Sequence, residues 1–112
     1  MEWLSPKSNM VATWLGGSIN DENIPLEQAY CIEVLNDDHT PMEFVIFVLM
    51  SCCEMDKESA MKKMLEIHDS GFAIIGHSSQ NIMENFAIHL NTEARRLEHP
   101  LFVRAVLNLM WD

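Results

Sequence analysis

The sequence predicts a two-layer α/β sandwich in which three short strands and three helices follow one another in the order β-α-α-β-α-β. Three observations carry that expectation. Residues 29–35 (AYCIEVL) combine β-branched and aromatic side chains with period-two alternation over the length of a strand. Later stretches read as helices, bracketed by start and stop signals. Finally, 112 residues with 48% hydrophobic content suffice for one core and are too few for two domains. A short sheet and several helices that all need an apolar face covered stack most economically in two layers.

Residues 1–27 mix Trp3, Trp14, Gly16, Gly17, Pro6 and Pro25 without sustained periodicity, and read as a flexible N-terminal extension to a domain spanning residues 28–112. Within the extension, residues 10–15 (MVATWL) are apolar enough for one amphipathic turn. The first strand places Tyr30, Ile32 and Val34 on one face and Glu33 on the other. Asn36, Asp37, Asp38 and His39 break it, because short polar side chains bond their own backbone. Thr40, Pro41 and Glu43 then spell a capping box with Thr40 as N-cap. The helix that follows is apolar nearly all round, which predicts burial on most sides. Asp56 caps a second helix, in which Met61, Met64, Leu65 and His68 share a face, and Gly71 suits the left-handed position that ends it. Residues 72–75, before Gly76, read as the second strand. Ser79 opens a third helix with a seam of Met83, Ala87, Leu90, Ala94 and Leu97, stopped by Pro100. Residues 101–107 form the third strand, and residues 108–112 a short tail that includes Trp111.

Seven Lys plus Arg against seventeen Asp plus Glu give a net charge of 7 − 17 = −10. Nucleic acid is thereby excluded as the expected partner, since phosphate backbones need clustered cations. Cationic groups, such as the free α-amino end of a peptide, match this field better. No stretch of eighteen apolar residues occurs to span a membrane, and the N-terminus has neither signal-peptide nor transit-peptide character. Cys31, Cys52 and Cys53 are odd in number, and a disulfide between the adjacent pair would be strained, so reduced thiols in a reducing compartment are expected. There is no Cys-x-x-Cys and no His-x-x-x-His, hence no expected structural zinc.

A generic core has no need for Asn36, Asp37, Asp38 and His39 between the first strand and first helix, nor for His68 on the inward face of the second helix. A carboxylate and an amide oxygen accept hydrogen bonds from an ammonium group, and a histidine beside them adds a contact, directly or through a water. Thr40, Met42, Val45, Met64, Ile67 and Leu101 are candidates to line an apolar hollow next to them. A cation beside a hydrophobic slot matches the first residue of a peptide. Each feature also has a plain structural reading. Asn and Asp before a helix serve turns and the helix dipole, a histidine on an apolar face is commonly a satisfied core residue, and methionines fill cores. On residues alone, the chain is an acidic α/β binding module. A metal-activated enzyme built from Asp37, Asp38, His39 and His68 is set aside, because that set leaves no further group to orient it or act as base.

Residues 34–45 (VLNDDHTPMEFV) resemble the signature of the ClpS family of N-degron adaptors for the Clp protease. Further matches follow in order: residues 64–68 (MLEIH) with Gly71 beyond, residues 73–76 (AIIG), and residues 98–101 (EHPL). The resemblance implies a short antiparallel three-stranded sheet covered by three helices, no catalysis and no cofactor. It implies recognition of proteins that begin with Leu, Phe, Tyr or Trp and their delivery to a Clp AAA+ unfoldase, of the ClpA or ClpC type. By position, Asn36, Asp37 and His68 would hold the α-amino group, while Thr40, Met42, Val45, Met64, Ile67 and Leu101 would form the side-chain pocket. Met42 resembles the gatekeeper that excludes β-branched first residues. The expected setting is a bacterial cytoplasm rather than a plastid. Two departures from the family pattern stand out. Met83, Glu84, Asn85 and Phe86 replace a common Ala-Glu-Thr-Lys run that contacts the unfoldase, and Phe47 occupies a usually polar position. They leave open an alternative in which the pocket is kept while Phe86 and the N-terminal extension, whose sequence does not resemble the family's, meet a different or antagonistic partner.

Overall fold

Every expected strand and helix is present in the computed structural model, which describes residues 17–108. A turn of 3-10 helix (Leu26–Gln28) leads into β1 (Tyr30–Leu35), followed by α1 (Met42–Cys52), α2 (Lys57–Ser70), β2 (Phe72–Ser78), α3 (Gln80–Arg96) and β3 (Phe102–Leu107). β1 is the central strand of a sheet in the order β2-β1-β3 and pairs antiparallel with both neighbours. The three helices cover this sheet, giving the two-layer sandwich.

The alternation in β1 sends Ile32 and Val34 into the core, where they join Ala73 and Ile75 of β2 and Val103 of β3. The helices contribute Phe44, Val48 and Leu49 from α1, Met64 and Ile67 from α2, and Met83, Phe86 and Leu90 from α3. Phe44 and Phe86 are wholly buried, a contribution of roughly 1.5–3 kcal/mol each.

Several details differ from the sequence expectation. Thr40 is not the N-cap of α1. Pro41 holds that place, its carbonyl accepting from the amides of Phe44 and Val45, while the Thr40 hydroxyl donates to Asp37 instead. The other two starts are as read: Asp56 accepts from the Ser59 amide at 2.7 Å, and Ser79 from the Ile82 amide at 3.2 Å. In α2 the buried face is Ala60, Met64 and Ile67, leaving Met61 and Leu65 exposed one step round the helix, since packing on α1 and β2 reaches only one stripe. Phe86 belongs to the core and offers nothing to a partner; it lies three residues after Met83, on the same seam. Phe47 is half-buried and stacks on Phe44, with ring centroids 6.5 Å apart.

A further difference lies at the N-terminal side, where packing begins before residue 28. Ile19 is buried in the core. The His77 amide donates to the Ile19 carbonyl and the His77 carbonyl accepts from the Asp21 amide, both at 2.7 Å. The His77 ring Nε2 lies 2.9 Å from the Ile24 carbonyl, and the Ser78 hydroxyl donates to the Ser18 carbonyl at 2.8 Å. Residues 18–24 are thus stitched to β2 at its Ser78 end. Residues 1–16, with the apolar 10–15 stretch, and residues 109–112 lie outside the described residues.

β2 also runs past the expected residue 75, because it carries one extra residue opposite β1 between Tyr30 and Ile32. This bulge is made at Gly76, whose φ is +84°. A Cβ there would lie 2.6 Å from Met83 Cε and 3.0 Å from the Ile19 carbonyl oxygen. At the other end of α3, the His99 amide donates to the Ala94 carbonyl and the Glu98 amide to that of Arg95, a Schellman closure. Glu98, not glycine, takes the left-handed position there, with φ +63°.

Two outcomes follow from these packings. Gly76→Ala should lower the unfolding free energy by about 2 kcal/mol, from left-handed strain plus overpacking; denaturant titration equal to wild type would show that the bulge tolerates a side chain. Burial, with some help from Glu93, pushes the Cys52 thiol up to about 12, and burial also raises Cys53 well above its ordinary value. Both thiols should therefore resist a disulfide reagent in the folded protein at about pH 8 and react once it is denatured.

Candidate functional site

Four element ends meet at one end of the sheet: the last residues of β1, the first turn of α1, the last two turns of α2 and the residue leading into β3. Between them lies a hollow of about 260 Å³. Its lining contains all nine residues assigned in the sequence to the α-amino site and the side-chain pocket: Asn36, Asp37, Thr40, Met42, Val45, Met64, Ile67, His68 and Leu101. Leu35 and Asp38 line it as well. Asp38 is one of the polar loop residues singled out in the sequence; Leu35 directly precedes Asn36, and that adjacency is the signal that would have added it. His39 is not part of the lining and is exposed.

The hollow's polar side is built by local hydrogen bonds. The Asn36 amide donates to the Gly71 carbonyl at 2.9 Å, tying the exit of β1 to the turn that ends α2. Gly71 can make that turn because its φ of +89° is a left-handed value, and its amide closes on the Ile67 carbonyl. Asp37 then folds the β1–α1 loop around its own carboxylate. Oδ1 accepts from the amides of His39 at 2.8 Å and Thr40 at 2.7 Å, and Oδ2 accepts from the Thr40 hydroxyl at 2.8 Å. Burial would raise the Asp37 pKa, but these hydrogen bonds and the nearby His39 ring outweigh it and hold the carboxyl below the ordinary range. The group is therefore an anion at neutral pH. An ionised carboxylate offers about four acceptor positions; with the loop filling three, one remains for an outside donor.

The apolar side consists of Val45, Met64, Ile67 and Leu101, all buried. Met42 stands at the rim, 50% exposed, in the first turn of α1. His68, in the last turn of α2, is exposed while lining the hollow, which excludes the reading of it as a core histidine. His99 packs the turn before Leu101 against α1, its ring centroid 4.4 Å from that of Phe44. Among the described residues, no Lys or Arg lines the hollow. Among the described residues, no group of three or more His, Cys, Asp or Glu is arranged to hold a metal ion, and no helix is long and apolar enough to cross a membrane. An anion with an open acceptor position beside a greasy slot can seat a small cation that carries an apolar group.

The family model described as "ATP-dependent Clp protease adaptor protein ClpS" matches residues 25–104. The chain belongs to the ClpS family. Two relatives named ATP-dependent Clp protease adapter protein ClpS, from Sodalis glossinidius and Methylococcus capsulatus, are 44% and 42% identical over 72 residues, 64% of this chain and 68% of theirs. Among solved structures, Agrobacterium tumefaciens ClpS2 bound to L-phenylalaninamide matches with a TM-score of 0.67 at 28% identity, over 71% of this chain and 96% of that one. As a ClpS protein, the chain is an adaptor of the Clp protease.

The Asp37 loop gives this ClpS domain a specific acid sensitivity. A depressed folded pKa stabilises fully above the ordinary carboxylate value, and that contribution is lost as pH falls through the folded value. The stability difference between wild type and Asp37→Asn should therefore be constant above about pH 5 and shrink below about pH 4. A difference that stays fixed on acidification would show that the charge of Asp37 does not hold the loop.

Proposed function

We propose that this ClpS protein binds substrates through a free N-terminal Leu, Phe, Tyr or Trp and delivers them to a ClpA- or ClpC-type AAA+ unfoldase, without itself catalysing a reaction. The observation that carries the reading is the single hollow in which an anionic loop and an apolar slot lie side by side. In it, Asn36, Asp37 and His68 receive the α-ammonium group, Asp37 through its open acceptor position. Thr40, Met42, Val45, Met64, Ile67 and Leu101 enclose the first side chain. A volume of about 260 Å³ falls just below the roughly 300–1,000 Å³ of sites for drug-sized ligands, the right scale for one residue rather than a long peptide. The ligand in the ClpS2 structure, L-phenylalaninamide, has the same chemistry: a free α-amine beside a Phe side chain.

The two halves reinforce each other. Seating a Leu or Phe side chain contributes roughly 1.5–3 kcal/mol, which alone would not separate an N-terminus from any exposed apolar residue. Acetylating the amine removes its charge and leaves Asp37 with a desolvated, unfilled acceptor, a loss of about 1–3 kcal/mol or more per group. Met42 at the rim takes the gatekeeper role that the family resemblance implies, disfavouring Val and Ile. A different partner engaged through Phe86 has no support, because that side chain is fully buried.

Binding of fluorescent peptides tests the reading. Peptides beginning with free Leu or Phe should bind, and acetylation should weaken them about tenfold or more; equal binding of blocked and free peptides would overturn it. His68→Ala should weaken binding several-fold with the thermal midpoint nearly unchanged, because an exposed side chain adds little to folding. Met42→Ala should admit Val- and Ile-initiated peptides that wild type rejects, as measured by competition.

A further inference from the structure

The pocket wall at Leu101 is held by two side chains of α3 that have no part in the hollow itself. Asn91 and Arg95 stand one helical turn apart and so share a face. Asn91 grips Val103 with both ends of its carboxamide: Nδ2 donates to the Val103 carbonyl at 2.9 Å, and Oδ1 accepts from the Val103 amide at 2.9 Å. One nitrogen of Arg95, Nη1, donates to the His99 carbonyl at 3.0 Å and to the Leu101 carbonyl at 2.9 Å. Main-chain groups at residues 99, 101 and 103 are thereby fixed to α3 along the side of β3 that, among the described residues, has no neighbouring strand.

Two facts argue that this clasp places the wall rather than decorating it. Arg95 forms no ion pair with a carboxylate among the described residues, although acids outnumber bases in the chain and its neighbour Arg96 pairs with Glu93. Its charge is used on two carbonyls through charge-assisted bonds from one nitrogen. The segment it holds also includes Glu98 in the left-handed region, a conformation that persists in a non-glycine residue when its surroundings over-determine it. Leu101, 2% exposed, is the one hollow-lining residue in this segment.

We propose that Asn91 and Arg95 are positioning residues for the pocket: by clasping the main chain around Leu101 they set the width of the apolar slot, and so which first side chains it accepts. This rests on reading the hollow as the seat of a peptide's first residue. Neither side chain lines the hollow.

The test compares wild type, Arg95→Ala and Arg95→Lys for affinity toward Leu-, Phe- and Val-initiated free peptides, with the thermal midpoint measured alongside. Arg95→Ala should bind the Phe peptide about tenfold more weakly and narrow the discrimination among the three peptides. Arg95→Lys keeps a charged donor for the carbonyls and should restore most of the discrimination. A folded Arg95→Ala protein with the wild-type rank and spread of affinities would overturn the proposal, even if its midpoint fell, since a purely structural role moves stability and not selectivity. Should Arg95→Ala fail to fold, Arg95→Gln, which can serve one carbonyl, carries the same comparison. If wild type does not distinguish free from acetylated peptides, the reading of the hollow fails and takes this proposal with it. If wild type distinguishes them and the variants match it, only the positioning role fails.

Discussion

The site depends on a carboxylate that must stay charged inside its own loop. Asp37 gathers two amides and a hydroxyl from the next three residues, and this turn fixes where α1 begins and where Thr40, Met42 and Val45 face. The same hydrogen bonds that shape the loop hold the carboxyl ionised. Shape and charge are therefore one property here. A second tie, from the Asn36 amide to the Gly71 carbonyl, brings the loop to the end of α2, so that His68 and Ile67 meet it across the hollow.

Such a loop is preorganised. Its acceptors are oriented by bonds within the loop, so a bound ammonium group meets dipoles already in place and little reorganisation is required. The surrounding walls are apolar, which strengthens a charge-assisted bond at the mouth relative to one in open water. Under the proposed reading, the selectivity for an unblocked N-terminus and the selectivity for a bulky first side chain arise in adjacent parts of one small cavity. The acidic character of the whole chain adds a long-range attraction for cationic peptide ends, weakened by salt.

Much of the fold is legible in local sequence signals. Asp56, Ser79 and Gly71 act as the helix boundaries they spell, and the alternation in residues 29–35 gives the central strand with its buried face correctly assigned. What local rules miss is competition for the same atom and the reach of packing. Thr40 has the right chemistry for an N-cap, but its hydroxyl is claimed by Asp37, a choice decided by loop geometry. Met61 and Leu65 fit helical spacing as well as Ala60 and Ile67 do, and only the placement of α1 and β2 decides which stripe is covered. Phe86 looks foreign against a family pattern, yet its spacing from Met83 already places it on the seam of α3. The docking of Ile19 leaves no local trace, since a single apolar residue in a polar stretch has no period to read. The nine candidate site residues converge because they sit at element ends, which is where a sandwich of this order brings distant segments together.

The bulge at Gly76 and the stitches around His77 have a mechanical consequence. They lie at the Ser78 end of β2, while the hollow lies at the Phe72 end, and six steps along a strand at about 3.3 Å each separate the two by roughly 20 Å. Tension on the chain from the side of Gly17 would load those short stitches first and peel them from β2. The grip on a captured chain end would feel none of that force until the sheet itself gave way.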